Sequence, residues 1–310
     1  MGPTDVPLAV WIGISALFGL VIGSFLNVVI YRWPRGESIV FPGSHCGSCD
    51  ARVRPYDNIP VVSYLLLGGK CRSCGQSFSV RYPAVELLTG VLFAMACVVD
   101  GPSLKLVFDC LFIAMVIPLV FIDADVRLLP SAITVPGLAF AFVSALVVPK
   151  LVGMSPKIGG GGFALGLGAS PDWYVSLVNA AAGATLGGGL LFVLGVAYEV
   201  VRKREGMGLG DVSMMCFVGA YLGWELTLLT ILLASIVGSV VGVAAARGRR
   251  IDEFQVPFGV FLGIGAIISL LAGTRILAWY LGCLLYTSRH ALPRIECGSP
   301  RQLRARGRTP

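Results

Sequence analysis

The run LAVWIGISALFGLVIGSFLNVVI, Leu8 to Ile30, decides the fold class. It holds 23 residues without a charge. A helix rises about 1.5 Å per residue and a bilayer's hydrocarbon core is about 30 Å thick, so the run is long enough to cross it. It is also longer than the apolar segment of a secretory signal peptide. No Lys or Arg precedes it, whereas Arg32 and Arg35 follow it. The positive-inside rule therefore puts residues 1–7 outside and the segment after Tyr31 in the cytoplasm.

Further apolar stretches repeat the pattern at 83–99, 104–122, 131–149, 174–200, 212–223, 226–246 and 257–284. The run 212–246 is too long for one span, and Gly223-Trp224-Glu225 offers the break. The expectation is an all-α polytopic membrane protein with about eight transmembrane helices and a small cytoplasmic loop domain between helices 1 and 2. Composition agrees: 56% of residues are apolar and 13% charged, against about 25% charged in soluble domains. Mean hydropathy is +0.83.

The net charge of +7 reads as topology rather than as a nucleic-acid surface, because the cations sit in loops between spans. Fourteen of them, from Arg32 to Arg250, fall on one side of the eight-span arrangement; up to residue 285 only Lys105, Lys150 and Lys157 fall on the other, with Arg275 inside the last span. The stretch KIGGGGFALGLGAS, 157–170, reads as an external loop, too rich in glycine to specify a helix. After Tyr286 the chain carries six Arg and little apolar periodicity, and it reads as a disordered or non-native tail.

Between the first two spans lie two CxxC knuckles, Cys46/Cys49 and Cys71/Cys74, separated by 21 residues. Brought together they offer four thiolates, the closed tetrahedral set of structural zinc. Gly47 and Gly75 are expected to relieve the turns around the ligands. Two disulfides are the alternative, disfavoured by a reducing cytoplasm. A nucleic-acid zinc ribbon suits the loop poorly, since it has few aromatics and is tethered to membrane spans at both ends. His45 is surplus to a four-cysteine site. Cys97, Cys110, Cys216 and Cys283 lie in spans, where cysteine serves as a small hydrophobe.

Carboxylates in spans cost about 2.5–3.5 kcal/mol on insertion scales, which makes them functional candidates. Asp123 and Asp125 lie in FIDADVRLLP at one end of the third span, and Asp211 closes GMGLGD at the start of the sixth. Topology alone brings these acids to the same face of the membrane. Two close carboxylates share a proton, the arrangement of an aspartic protease. Helix capping remains open for Asp211, whereas a phosphate loop does not, since no Gly-Lys-Ser/Thr follows. Gly208 and Gly210 would let a substrate backbone or neighbouring helix approach. Asp109, Glu86 and Glu199 show no obvious partner in the sequence. A transporter relaying ions would need acids along a path across the membrane, and a docking protein would use the cysteine loop alone.

The segments GSFLNVVIYRWP (23–34), the two knuckles, RYPAVELLTG (81–90), FIDADVRLLP (121–130), GMGLGD and VPFGVFLGIGA (256–266) occur in the order seen in type IV prepilin peptidases. The chain resembles that family of bacterial inner-membrane aspartic proteases over about residues 8–285. The resemblance implies an enzyme that cuts the leader of prepilins and pseudopilins after glycine at the cytoplasmic face. It then N-methylates the new terminus, usually phenylalanine, with S-adenosylmethionine. It implies Asp123 and Asp211 as the catalytic pair, with Asp125, Glu86, Gly208 and Gly210 in supporting positions. The expected organisation is a first helix (1–31), a zinc loop domain (32–82), a peptidase core (83–285) and a basic tail (286–310) without a counterpart in the family, with lipid and prepilins as partners and no nucleic acid. One departure is Ser131 after LLP, where the family commonly has Asp or Asn.

Overall fold

The computed structural model describes residues 6–149, 171–203, 208–245 and 257–291. The glycine-rich stretch 157–170, Gly206, Met207 and the tail from residue 292 lie outside the described residues. The apolar runs form α1 (Leu8–Arg32), α3 (Arg81–Asp100), α4 (Leu104–Val126), α5 (Ser131–Val147), α6 (Asp172–Arg202), α7 (Leu209–Ala245) and α8 (Phe258–Ala291), with a short α2 (Val62–Leu66) in the cysteine loop. Six of these are long and apolar enough to cross a membrane, and α5 is a shorter apolar helix. Helices suit lipid because each satisfies its own backbone hydrogen bonds. No strand occurs among the described residues beyond two isolated bridges, His45 with Arg52 and Lys70 with Ser77.

The 37 residues of α7 hold the break expected near Gly223, which adopts φ 78°, ψ 168°, a conformation only glycine takes readily. Before it, the chain runs from Asp211, near Asp123, to Tyr221, whose hydroxyl donates to Asp109 at 2.6 Å. After it, the chain runs back. Leu226 packs against Gly273, Thr230 donates to Ser269 at 2.9 Å, and Phe261 lies against Gly238. The two arms of α7 are therefore antiparallel, and with α1, α3, α4, α5, α6 and α8 they give eight apolar helical arms. The first arm spans only about 20 Å.

α4 is the central rod. Phe112, Ile113, Val116, Ile117, Leu119 and Ile122 are essentially inaccessible, whereas lipid-facing positions on α1 such as Leu17 and Phe18 are 65% exposed. The Ser103 hydroxyl caps one end, accepting the Leu106 N–H, and Arg127 closes the other at φ 53°, its N–H bonded to the Asp123 carbonyl. Aromatic rings tie α4 to α5 and α7. Tyr221 stacks on Phe112 with centroids 4.3 Å apart and lies parallel to Phe140 at 5.7 Å.

At that end of α4 the sequence concealed a polar network. Asp109, 1% exposed, bonds Lys105 at 2.7 Å and Tyr221, and Lys105 also bonds Asp100 at 2.6 Å. Asp109 is thus partnered, and its i,i+4 relation to Lys105 was the available signal. The tyrosine, 112 residues away, was not.

α6 packs on the first arm of α7 through glycine. A Cβ on Gly219 would strike the Gly183 carbonyl, and the reverse holds as well. Small residues let backbones approach where lipid offers no hydrophobic drive for helix association.

The contacts divide the chain into two units, 1–274 and 275–310. The helix α8 is described as far as Ala291. Gly219→Leu is expected to cost about 1–3 kcal/mol by overpacking, read as a lower thermal midpoint in detergent. Gly189→Ala, whose added Cβ would meet nothing within 4 Å, should leave the midpoint unchanged.

Candidate active site

Asp123 sits in the last turn of α4 and is 5% exposed. Its Oδ2 accepts the Val260 N–H at 3.0 Å, in the first turn of α8. The backbone of Gly259 also bonds the carboxylate. Free N–H groups at a helix start point along the axis and carry partial positive charge, so a carboxylate seats there well. The seat requires glycine: a Cβ at Gly259 would lie 2.8 Å from Asp123 Oδ2.

Asp211 lies inside the first turn of α7, with its N–H bonded to the Gly208 carbonyl at 3.1 Å. The helix begins at Leu209, so Asp211 is a first-turn acid rather than its cap. Asp211 and Asp123 are within electrostatic reach of each other across 88 residues of sequence. Leu129 links their surroundings. Its Cβ is 2.9 Å from where a Gly210 side chain would start, and its Cδ1 is 3.1 Å from the same point on Gly259. Gly210 is therefore sterically required, whereas Gly208 has open space around it. Ser213 fixes this first turn, donating to the Gly210 carbonyl at 2.9 Å and sharing a hydrogen bond with Thr134 of α5 at 3.1 Å. A cleft of about 470 Å³ opens here, lined by Trp33, Leu129, Ser131, Leu209, Gly210 and Ser213 among others.

The two supporting acids are held elsewhere. Asp125 is ion-paired with Arg81 at 2.6 Å, and Arg81 also reaches the Phe121 carbonyl. Glu86, 8% exposed, accepts the Val61 N–H at 2.7 Å. Val61 has φ 59°, a strained value for a β-branched residue, and the Glu86 carboxylate is what holds it. Glu86 is therefore the latch between α3 and the cysteine loop.

In that loop the four Sγ atoms of Cys46, Cys49, Cys71 and Cys74 all lie within 4.8 Å of one another. The Cys46 and Cys74 sulfurs are 3.8 Å apart, close to the ~3.8 Å edge of a tetrahedron with Zn–S of about 2.3 Å. The cluster fits zinc, and no disulfide joins the cysteines. The knuckles match each other. Asp50 N–H bonds the Cys46 carbonyl and Gly75 N–H the Cys71 carbonyl, both at 2.9 Å, and both residues have positive φ. The turn residue of the first knuckle is thus Asp50, not Gly47.

Backbone N–H groups of Cys74 and Ser73 draw the Cys71 thiol down to about 7, toward the thiolate a metal needs. His45 stays outside the cluster, bonded through Nδ1 to the Gly43 carbonyl. A second cleft of about 270 Å³ adjoins the knuckles, lined by Arg52, Arg54, Asp57, Arg72 and Phe78 among others. Arg72 is bound to Asp57 at 2.6 Å and holds that carboxyl below its usual range. Buried Arg32 ties the loop to α1 through the Ser38 and Gly43 carbonyls.

Removing the acceptor of Val61 leaves a part-buried N–H unpaired, at a cost of about 1–3 kcal/mol. Glu86→Ala is expected to speed amide exchange across residues 59–69, whereas Glu86→Gln, which keeps an acceptor oxygen, should change it far less.

Comparison with known proteins covers most of the chain. Residues 17–99 match the profile of the bacterial peptidase A24 N-terminal domain, and residues 110–243 that of the type IV leader peptidase family. A prepilin leader peptidase/N-methyltransferase of Aeromonas salmonicida is 32% identical over 295 residues, covering 87% of this chain and 93% of the relative. The proteins of the same name from Pseudomonas aeruginosa and Neisseria gonorrhoeae are 33% and 34% identical, covering 86% and 91% of this chain and 92% and 96% of the relatives. No solved structure matches.

Proposed function

This chain belongs to the type IV leader peptidase family, a family of membrane enzymes, and we propose that it cleaves the leader from prepilins with the Asp123/Asp211 pair and then N-methylates the new terminus. The observation that carries the reading is the seating of Asp123 on the start of α8, within electrostatic reach of Asp211. Close carboxylates cannot both ionise readily, so one keeps a proton.

The ionised member takes a proton from water as the water oxygen attacks the scissile carbonyl carbon. The other member gives its proton to the carbonyl oxygen, forming a diol. Collapse of the diol breaks the C–N bond. The departing nitrogen takes the proton held by the first member, and the second recovers its own from a diol hydroxyl. An acid on the leader and an amine on the mature chain result. The Val260 N–H holds one Asp123 oxygen, Oδ2, in place for this exchange.

The arrangement also favours a protease over an ion relay. The acids at this end are gathered together, and Asp109 at the far end of α4, about 21 Å away, is bound into its own network. We place the Asp123 end in the bacterial cytoplasm, because the loops at that end carry the cations Arg32, Arg35, Arg52, Arg54, Lys70, Arg72, Arg81 and Arg127.

Zinc held by Cys46, Cys49, Cys71 and Cys74 would knit the loop module, which has little apolar core of its own. Methylation comes from the relatives' shared name. When S-adenosylmethionine is bound, the new amine can take its sulfonium methyl group. The cleft beside the knuckles suits that donor's carboxylate, since Arg52 and Arg54 offer guanidinium groups and Arg72 is committed to Asp57.

Asp123→Asn and Asp211→Asn are each expected to lower cleavage of a prepilin by at least about a hundredfold while the protein inserts normally, as followed by product mass. Near-normal rates in either variant would exclude the pair. Wild-type protein is expected to hold one zinc per chain by elemental analysis. Cys46→Ser/Cys74→Ser should lose the zinc and the added methyl mass while leader cleavage continues.

A further inference from the structure

We propose that α2, in the cysteine loop, is a membrane-surface helix: it lies in the lipid interface beside the start of α3, with Val62, Leu65 and Leu66 seated among the lipids.

Sequence and facing are the first argument. From Ile59 to Gly69 the chain runs eleven residues without a charge, whereas Asp50, Arg52, Arg54 and Asp57 precede the run and Lys70 and Arg72 follow it. α2 occupies the middle of the run and divides by face. Ser63 turns inward, its hydroxyl donating to the Tyr56 carbonyl at 2.9 Å, and the Tyr64 hydroxyl donates to the Phe78 carbonyl at 3.3 Å. Val62, Leu65 and Leu66 stand at i, i+3 and i+4, on one face of the helix. All three are exposed, Leu65 by 71% and Leu66 by 82%. An apolar patch of this kind marks a surface that another body covers.

Position decides which body. α2 is fastened twice at the root of α3. The Val61 N–H bonds Glu86, which lies five residues inside α3, about 7.5 Å along its axis from Arg81. Helical side chains lean toward the N-terminus, so Val61 sits within about a turn of the start of α3. The second bond reaches Phe78, three residues before that start. Glu86 in turn packs on the charge-free run of α1, since a Cβ on Gly23 would lie 2.7 Å from the Glu86 Cα. α2 is therefore held at the membrane face rather than out in the water. The exposed residues Val80, Leu87, Val91 and Val98 recur at i, i+7, i+11 and i+18 along one face of α3. That lipid-facing stripe runs out to Val80, beside the Phe78 anchor, so the bilayer that covers the stripe reaches α2 at its edge. Lys70, exposed just past α2, is placed to meet the phosphates of anionic lipids.

The test uses full-length protein in nanodiscs of phosphatidylethanolamine and phosphatidylglycerol, with photoreactive benzoylphenylalanine in place of Leu65, Leu66 or, in the exposed first knuckle, Ser48. After irradiation, adducts with the mass of one phospholipid are expected at positions 65 and 66 at least about fivefold more often than at 48. Leu65→Gln/Leu66→Gln folds readily, because both side chains are exposed. It should speed amide exchange across residues 59–69 in nanodiscs by about threefold or more, since a helix drawn out of lipid loses its cover. Lipid adducts no more frequent than at position 48 overturn the proposal. So does a cross-link to an added prepilin or to a second copy in place of lipid, or exchange unchanged in the double variant.

Discussion

The hydrogen bond from the Val260 N–H to Asp123 joins groups 137 residues apart and draws the ends of α4 and α8 together. Everything at that end of the bundle is arranged around it. A buried carboxylate is costly in lipid unless it is bonded, and the start of α8 supplies the donors. The requirement spreads outward: Gly259 must lack a side chain, Leu129 fills the space beside it, and Gly210 must lack a side chain to admit Leu129. Asp211 follows Gly210 and so comes within electrostatic reach of Asp123. One electrostatic need thus fixes three tight contacts and the candidate pair.

The opposite end of α4 is built on another logic. Asp109 is satisfied by Lys105 and Tyr221, and Tyr221 is clamped between aromatic rings of α4 and α5. Its acid is already matched to a cation and a hydroxyl, whereas at the Asp123 end the acid is seated on backbone N–H groups of α8. At one end the charged groups hold helices together; at the other Asp123 is held by backbone N–H groups. The reversal at Gly223 lets the first arm of α7 touch both ends and return along α8.

The cysteine module is fastened to this bundle by Arg32 from α1 and Glu86 from α3, while Asn27 of α1 donates to the Tyr82 carbonyl at the start of α3. Glu86 shows why an acid in a span need not be catalytic. It holds a strained Val61, at a junction where the chain leaves the membrane core for a module knit by four thiols. Asp125, two residues from Asp123, is likewise spent on Arg81.

The sequence by itself determined what depends on local composition. Charge-free runs such as Leu8–Ile30 specified helices because lipid leaves a backbone no alternative. The break at Gly223 was legible because a run of that length cannot cross once. The cysteine spacing specified a four-thiol cluster because two short knuckles close on themselves whatever surrounds them. Only the tertiary structure decided the rest: that Asp109 bonds Tyr221, that Glu86 latches Val61, that Asp125 goes to Arg81, and that Leu129 and Ser131 wall a cleft beside Gly210. These are contacts between helices, set by how small residues let backbones approach and by which buried charge finds a partner. Neither has a period or a spacing along the chain.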